Sequence, residues 1–174
     1  MKKTMPDTAH LILTKSKQPD VFEYVENPVN AMEVPQDLKG FRTQFLSLHH
    51  FRPKEAKAIL QNALDNNQPI GIFEAHQRDF KNIVRMLLSP IAVLVMTPFI
   101  KPFKVDRIIF TYLIPVIPLC TLWDGVISVL RTYKVSELKQ MISELRNNEQ
   151  FEWEVDIAKG KSNDILYLFG THGK

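Results

Sequence analysis

The chain has 174 residues, a length that usually means one domain, with 45% apolar and 24% charged residues, which excludes wholesale disorder. Its net charge of +3 is spread along the chain, and no Lys/Arg run has the density of a nucleic-acid-binding patch, so no nucleic-acid partner is expected. The lone Cys120 excludes an internal disulfide or a cysteine-built metal site, and its apolar surroundings predict a small buried side chain rather than a reactive thiol.

The first residues, Met-Lys-Lys-Thr-Met-Pro-Asp, lead into no apolar signal core, so the expected address is the cytoplasm. Ala9–Thr14 (AHLILT) is a short apolar run that predicts a buried strand. Gln18–Asn27, with Val21, Phe22 and Val25, reads as a short helix or a loop, and Pro28 and Pro35 bracket an irregular stretch. After Gly40, Thr43–Leu48 (TQFLSL) predicts another strand. Pro53 suits the first turn of a helix, and Ala56, Ile59, Leu60, Ala63 and Leu64 recur at helical spacing behind it. Asn66-Asn67-Gln68-Pro69 ends that helix, and Ile70–Glu74 (IGIFE) follows as a compact strand. Strand, helix and strand joined by short connections predict a parallel crossover.

Two nearly continuous apolar stretches come next. Ile83–Ile100 is broken by Arg85, Ser89 and Pro90, and Ile108–Trp123 carries Pro115 and Pro118. The basic segment Lys101–Arg107 separates them. Each stretch is near the minimum length that spans a bilayer, but two crossings would leave Lys101, Lys104 and Arg107 on the non-cytoplasmic side, against the positive-inside bias. A hairpin lying in the inner leaflet, peripheral on the inner membrane face, stands beside a lid packed on the sheet or a dimer surface. Ser136 is the expected N-cap of the next helix, with Lys139 where a capping-box Glu would complete the motif. Leu138, Met141, Ile142 and Leu145 form its apolar face. Phe151–Ile157 (FEWEVDI) alternates strictly, Lys159–Asn163 turns the chain, and Ile165–Gly170 (ILYLFG) predicts a partner strand, so a terminal antiparallel hairpin is expected.

Three places carry candidate chemistry. His49 and His50 follow a strand at the carboxyl end where open α/β sheets bind ligands, and imidazole as a class titrates near neutrality, which suits a general base. The competing role is a loop histidine that caps the next helix or packs on Phe51. No metal site is expected there, because adjacent strand residues point to opposite faces. Glu74 ends the following strand and faces the same crevice, where it binds a cationic substrate group or pairs with Arg78. Trp123-Asp124-Gly125 closes the second apolar stretch. Asp124 is expected either to cap a helix beginning near Val126, with Gly125 permitting the turn, or to face substrate from a lid. Arg131 and Tyr133 are expected to brace the helix junction.

The strings FRTQFLSLHHFRP (Phe41–Pro53), PIGIFE (Pro69–Glu74), FTYLIPVIPLCTLWDGVISVLRTY (Phe110–Tyr133) and FEWEV (Phe151–Val155) resemble a bacterial family of class I S-adenosylmethionine-dependent methyltransferase-like proteins, over nearly the whole chain. The resemblance implies an α/β fold: a partial Rossmann-like methyltransferase sheet, mostly parallel, with a C-terminal antiparallel hairpin and a hydrophobic helical insertion at 83–123, within one incomplete domain of residues 1–174. It implies S-adenosylmethionine as cofactor and methyl transfer to an acceptor, with the protein positioning the two reactants. The apolar texture suggests a lipophilic acceptor. The resemblance also implies that this chain matches the C-terminal part of its relatives. Their first strand and its glycine-rich turn, where backbone N–H groups meet the cofactor, have no counterpart here. The glycines at 40, 71, 125, 160, 170 and 173 form no strand–Gly-x-Gly–helix junction. Lys15 aligns where relatives carry a ribose-binding acid, and a cation cannot accept those hydrogen bonds. Asn30, followed by Ala31, aligns with a second acid near the adenine and keeps an acceptor oxygen. Loss of a central first strand would expose sheet edges, so the expectations include a second chain supplying that strand, a rearranged N-terminal segment, or a gene remnant. Catalysis by this chain alone is not expected. The alternative is a non-enzymatic protein, membrane-associated or partner-binding, that presents the hydrophobic hairpin 83–123.

Overall fold

The computed structural model describes residues 28–160 and 163–173. The readings placed on Ala9–Thr14, Lys15 and Gln18–Asn27 lie outside the described residues. The crossover forms as expected. Strand β1 (Arg42–Phe45), helix α1 (Pro53–Asp65) and strand β2 (Ile70–Glu74) follow in order, and β1 pairs parallel with β2 from Arg42 opposite Ile70 to Phe45 opposite Phe73. The predicted apolar face of α1 is its buried face: Ala56, Ile59, Leu60, Ala63 and Leu64 are all enclosed. Pro53 opens the helix, and Glu55 Oε2 accepts from the Arg52 backbone N–H at 2.7 Å, which satisfies one donor of the first turn.

β1 is shorter than the predicted Thr43–Leu48. Leu46 takes a left-handed backbone (φ 51°) and Leu48–His50 wind into one 3-10 turn, because Leu48 is drawn fully into the core. After the insertion, an amphipathic helix runs from Val135 to Ser143 and the hairpin pairs Phe151–Ala158 with Ile165–His172. We label the two strands β3 and β4. β4 lies between β2 and β3 and is antiparallel to both, giving the order β1-β2-β4-β3. The expectation of a mostly parallel sheet is therefore corrected: among the described residues one pairing is parallel and two are antiparallel. Only six residues join β3 to β4, too few for the crossover of about a dozen residues that a parallel return needs. Trp153 seals this side by lying over Gly170, where a Cβ would collide with its ring.

The start of the Val135 helix also differs from expectation. Its N-cap is Lys134, not Ser136, and Glu137 supplies the capping carboxylate, accepting from the Lys134 N–H at 2.8 Å. Between the crossover and this helix lie four further helices: α2 (Phe80–Leu87), α3 (Ser89–Met96), α4 (Val105–Ile108, continued by a π turn at Ile109–Leu113) and α5 (Val116–Arg131). The Val135–Ser143 helix is accordingly α6. Asp79 caps α2 by accepting from the Asn82 N–H at 2.7 Å. Leu88 alone joins α2 to α3, so Phe80–Phe99 forms one rod of 20 residues, long and apolar enough to cross a membrane. The return leg bends by 72° between Leu113 and Val116.

Two expectations about this region are corrected. Asp124 and Gly125 cap nothing. They sit inside α5, because Pro115 and Pro118 fall at its start, where a missing N–H costs no helical bond, and the helix runs unbroken through Trp123. Gly125 instead admits Met86 of α2, whose sulfur would lie 2.8 Å from a Cβ there. Cys120, expected to be buried, is exposed on α5. An apolar run signals a helix but not whether anything covers it.

Candidate functional site

The carboxyl ends of β1 and β2 meet at a buried acid–imidazole pair. Glu74 is the last residue of β2 and is 2% exposed; His49 lies in the 3-10 turn after β1 and is 5% exposed. Their contact is His49 Nδ1 to Glu74 Oε2 at 2.8 Å. The second carboxylate oxygen accepts from the Leu48 N–H at 2.7 Å and, more distantly, from the His49 N–H at 3.4 Å. One carboxylate thus fixes both the ring and the backbone turn that carries it, the arrangement that keeps a buried carboxylate satisfied.

The expected partner of Glu74 was Arg78, and that pairing is corrected. Arg78 turns instead to Glu137 of α6, and its guanidinium holds the Glu137 carboxyl below the usual carboxylate range. His49 occupies the position at Glu74, because the turn after β1 brings imidazole and backbone N–H groups to the same oxygens. The argument that His49 and His50 face opposite ways is corrected too. They share a turn rather than a strand, with ring centroids 4.2 Å apart and planes tilted by 39°. Among the described residues no group of three or more His, Cys, Asp or Glu side chains is placed to hold a metal ion.

Both histidines line an open cavity of about 650 Å³ between the turn after β1, the start of α1 and the α5–α6 junction. Arg52, Arg78, Arg131 and Tyr133 line it as well, with Leu130 the only apolar residue contributed by the insertion. Its size suits a small molecule. The wall is polar and charged, with Glu55 and Glu137 beside the three arginines and Arg78 paired to Glu137, unlike the lipophilic pocket that the apolar stretches suggested. Tyr133 does brace the junction: its hydroxyl donates to the Phe51 carbonyl at 2.7 Å, and burial, followed by the charges of Glu137 and Glu55, pushes its pKa up. Arg131 is exposed at the cavity wall.

The other candidate residues stand apart. Asn30 is exposed in a local turn, its Oδ1 accepting from the Met32 N–H at 3.1 Å, while Ala31 packs against the core. Neither lines the histidine cavity. Trp123, 72% exposed, and Asp124 border a separate apolar hollow on α5 with Leu119, Cys120 and Leu122. Residues that sequence reasoning missed are Arg52, Glu137 and His76. His76 lies just beyond β2 with its Nδ1 buried and unpartnered, and burial, then the neighbouring His49, lowers its pKa. Adjacency to the ends of β1 and β2 was the available signal for Arg52 and His76; Glu137, in the first turn of α6, carried none.

S-adenosylmethionine does not fit the described residues. Gly71, Gly125 and Gly170 are filled by Phe41, Met86 and Trp153, and Gly40, with φ 130°, precedes a strand rather than a helix. The Asn30 acceptor oxygen is already engaged. No protein-family model, curated protein or solved structure matches the chain.

Proposed function

We propose that this chain forms the acceptor-side portion of an S-adenosylmethionine-dependent methyltransferase-like protein, and that the cofactor is gripped by polypeptide outside the described residues, most simply a second chain that adds a strand beside β1. The buried His49–Glu74 pair at the carboxyl ends of a parallel crossover, opening on a polar, charged cavity, carries this reading. A parallel crossover followed by a terminal antiparallel hairpin is also the arrangement that the sequence resemblance implies. With Nδ1 donating to Glu74, the Nε2 atom of His49 keeps its lone pair and takes the proton of an acceptor hydroxyl or amine held in the cavity. Arg52 and Arg131 would orient an acceptor that bears an anionic group. Within the described residues β1 pairs on one side only, with β2, which leaves an edge for strand addition.

The test is calorimetric titration with S-adenosylhomocysteine of the purified chain and of the chain co-produced with the polypeptide encoded immediately upstream. The chain alone is expected to give no heat and the co-produced pair a saturable one. His49→Ala in that pair is expected to lower methyl transfer at least about 100-fold, the usual scale of a lost general base, without changing cofactor affinity. No heat from the pair, or an upstream sequence without a strand–Gly-x-Gly–helix junction, would sink the reading.

A further inference from the structure

The helices α2 to α5 expose apolar side chains at helical spacing on both legs. Leu88, Ile91 and Val95 form a stripe along α3, and Leu119, Trp123 and Leu130 form another along α5. Only 11% of the apolar window within Phe80–Phe99 is buried, so these helices are not the hidden core of a larger globule. Exposed apolar area on this scale marks an interaction surface.

Charge identifies the occupant. Residues 80–131 contain six Lys or Arg and two Asp, a net +4, so the remainder of the chain is net −1. The positive charge of the protein therefore resides on its most apolar segment. A second copy offers acid along β3, at the exposed Glu152, Glu154 and Asp156, whereas an anionic bilayer matches both the positive charge and the apolar stripes at once. Several hydroxyls on these helices find their partners within the hairpin. Thr97, Thr111 and Thr121 turn their hydroxyls back to the carbonyls four residues earlier, at 2.7, 2.7 and 2.9 Å, and the Tyr112 hydroxyl donates to the Leu94 carbonyl across the hairpin. Arg107 closes the connecting loop by donating to the carbonyls of Ile100 at 2.7 Å and Pro102 at 2.5 Å. Lys101 and Lys104 remain exposed beside Phe99 and Phe103, with no acidic partner among the described residues.

We infer that this helical hairpin is a monotopic membrane anchor, which beds its apolar stripes in one leaflet of an anionic bilayer while Lys101 and Lys104 reach lipid phosphates. The bend of 72° in the return leg and the basic loop suit a segment that lies in the interface rather than one that crosses twice. The histidine cavity, which abuts the end of α5, would then open close to the lipid surface.

Flotation of the full chain with vesicles of phosphatidylcholine alone, and of phosphatidylcholine mixed with phosphatidylglycerol, tests this. The protein is expected to float with the mixed vesicles, weakly with the neutral ones, and less as salt rises. Lys101→Gln with Lys104→Gln is expected to lower partitioning roughly 25-fold, about fivefold for each charge, with an unchanged circular dichroism spectrum. Trp123→Ser is expected to weaken binding to both vesicle types. Absence of flotation, or flotation indifferent to lipid charge and salt, would overturn the inference. A lipid-free dimer that shields Trp123 and prevents flotation would overturn it as well and assign the face to a second copy.

Discussion

The sheet with α1 and α6, and the helical insertion between β2 and α6, use apolar residues in opposite ways. In the first region they converge: the buried cluster takes members from α1, β2, α6, β3 and β4. In the second they diverge, and Val129 and Pro118 are its only buried apolar residues. Composition alone does not separate the two, since the insertion is the more apolar. Alternation and amphipathic periodicity do. Strands and helices with a polar back face, such as Phe151–Ala158 and Pro53–Asp65, have one side to hide. Ser89–Met96 is apolar all round and meets α5 along one side only, leaving the other exposed. The sheet region hides most of its apolar side chains, though Phe41, Phe45 and Leu46 at β1 stay exposed, whereas the insertion hides few.

The sharpest way to break that contrast is to truncate equivalent side chains in each region. Leu60 is fully buried against the sheet, so Leu60→Ala is expected to cost about 2–5 kcal/mol in chemical denaturation, through lost transfer energy and the cavity left behind. A comparable effect is expected at the acid–imidazole pair. Glu74→Ala removes the acceptor of the Leu48 N–H and of the His49 ring, at about 1–3 kcal/mol for each buried group left unsatisfied. Glu74→Gln retains one acceptor oxygen and is expected to lose less. If Glu74→Ala were neutral by the same measurement, the carboxylate would not hold the turn and the candidate site would lose its framework. Tyr133→Phe removes one hydrogen bond to the Phe51 carbonyl, and about 1 kcal/mol is expected.

Much of the sheet region was legible because its signals are local. Pro53 and the spacing of Ala56 to Leu64 specify α1, and Asn66–Pro69 ends it. Strict alternation in FEWEVDI specifies β3, and the short connection specifies an antiparallel return. The site was legible in position only. That His49 and Glu74 face one crevice follows from their places after β1 and at the end of β2. That they bind one another, with Arg78 diverted to Glu137, depends on the left-handed turn at Leu46, and a Leu there carries no such signal. The insertion was legible as helix and illegible as surface. The misplacement of Cys120 and the false cap at Asp124 both follow, because neither an apolar run nor a proline states what lies outside the helix.

A weaker pH dependence separates the regions again. His76 has its pKa lowered from 6.5, by burial first and then by His49. The folded state therefore favours the neutral ring, and the unfolded chain binds the proton more readily. The stabilisation is complete above the unfolded value and is lost as pH falls through it toward the folded one. Thermal melting from pH 8 down to pH 5.5 is expected to show a falling midpoint that His76→Gln flattens. An unchanged slope in that variant would place the titration elsewhere. From the insertion, only Arg85 on α2 adds to this shift, and it lowers the pKa further.

The smallest effect should come from one of the most exposed apolar residues of the insertion. Leu113 is 78% exposed, so Leu113→Ser removes almost no buried area and is expected to shift stability in water by no more than about 0.5 kcal/mol. The same change should weaken vesicle binding, because the area that water already covers in the free protein is the area lipid would cover. A substitution that is silent in denaturation but costly in flotation would show that the insertion stores its apolar surface for a second phase. A Leu113→Ser variant that unfolds readily in water, with flotation intact, would instead make the insertion part of the core, and the contrast between the two regions would fail.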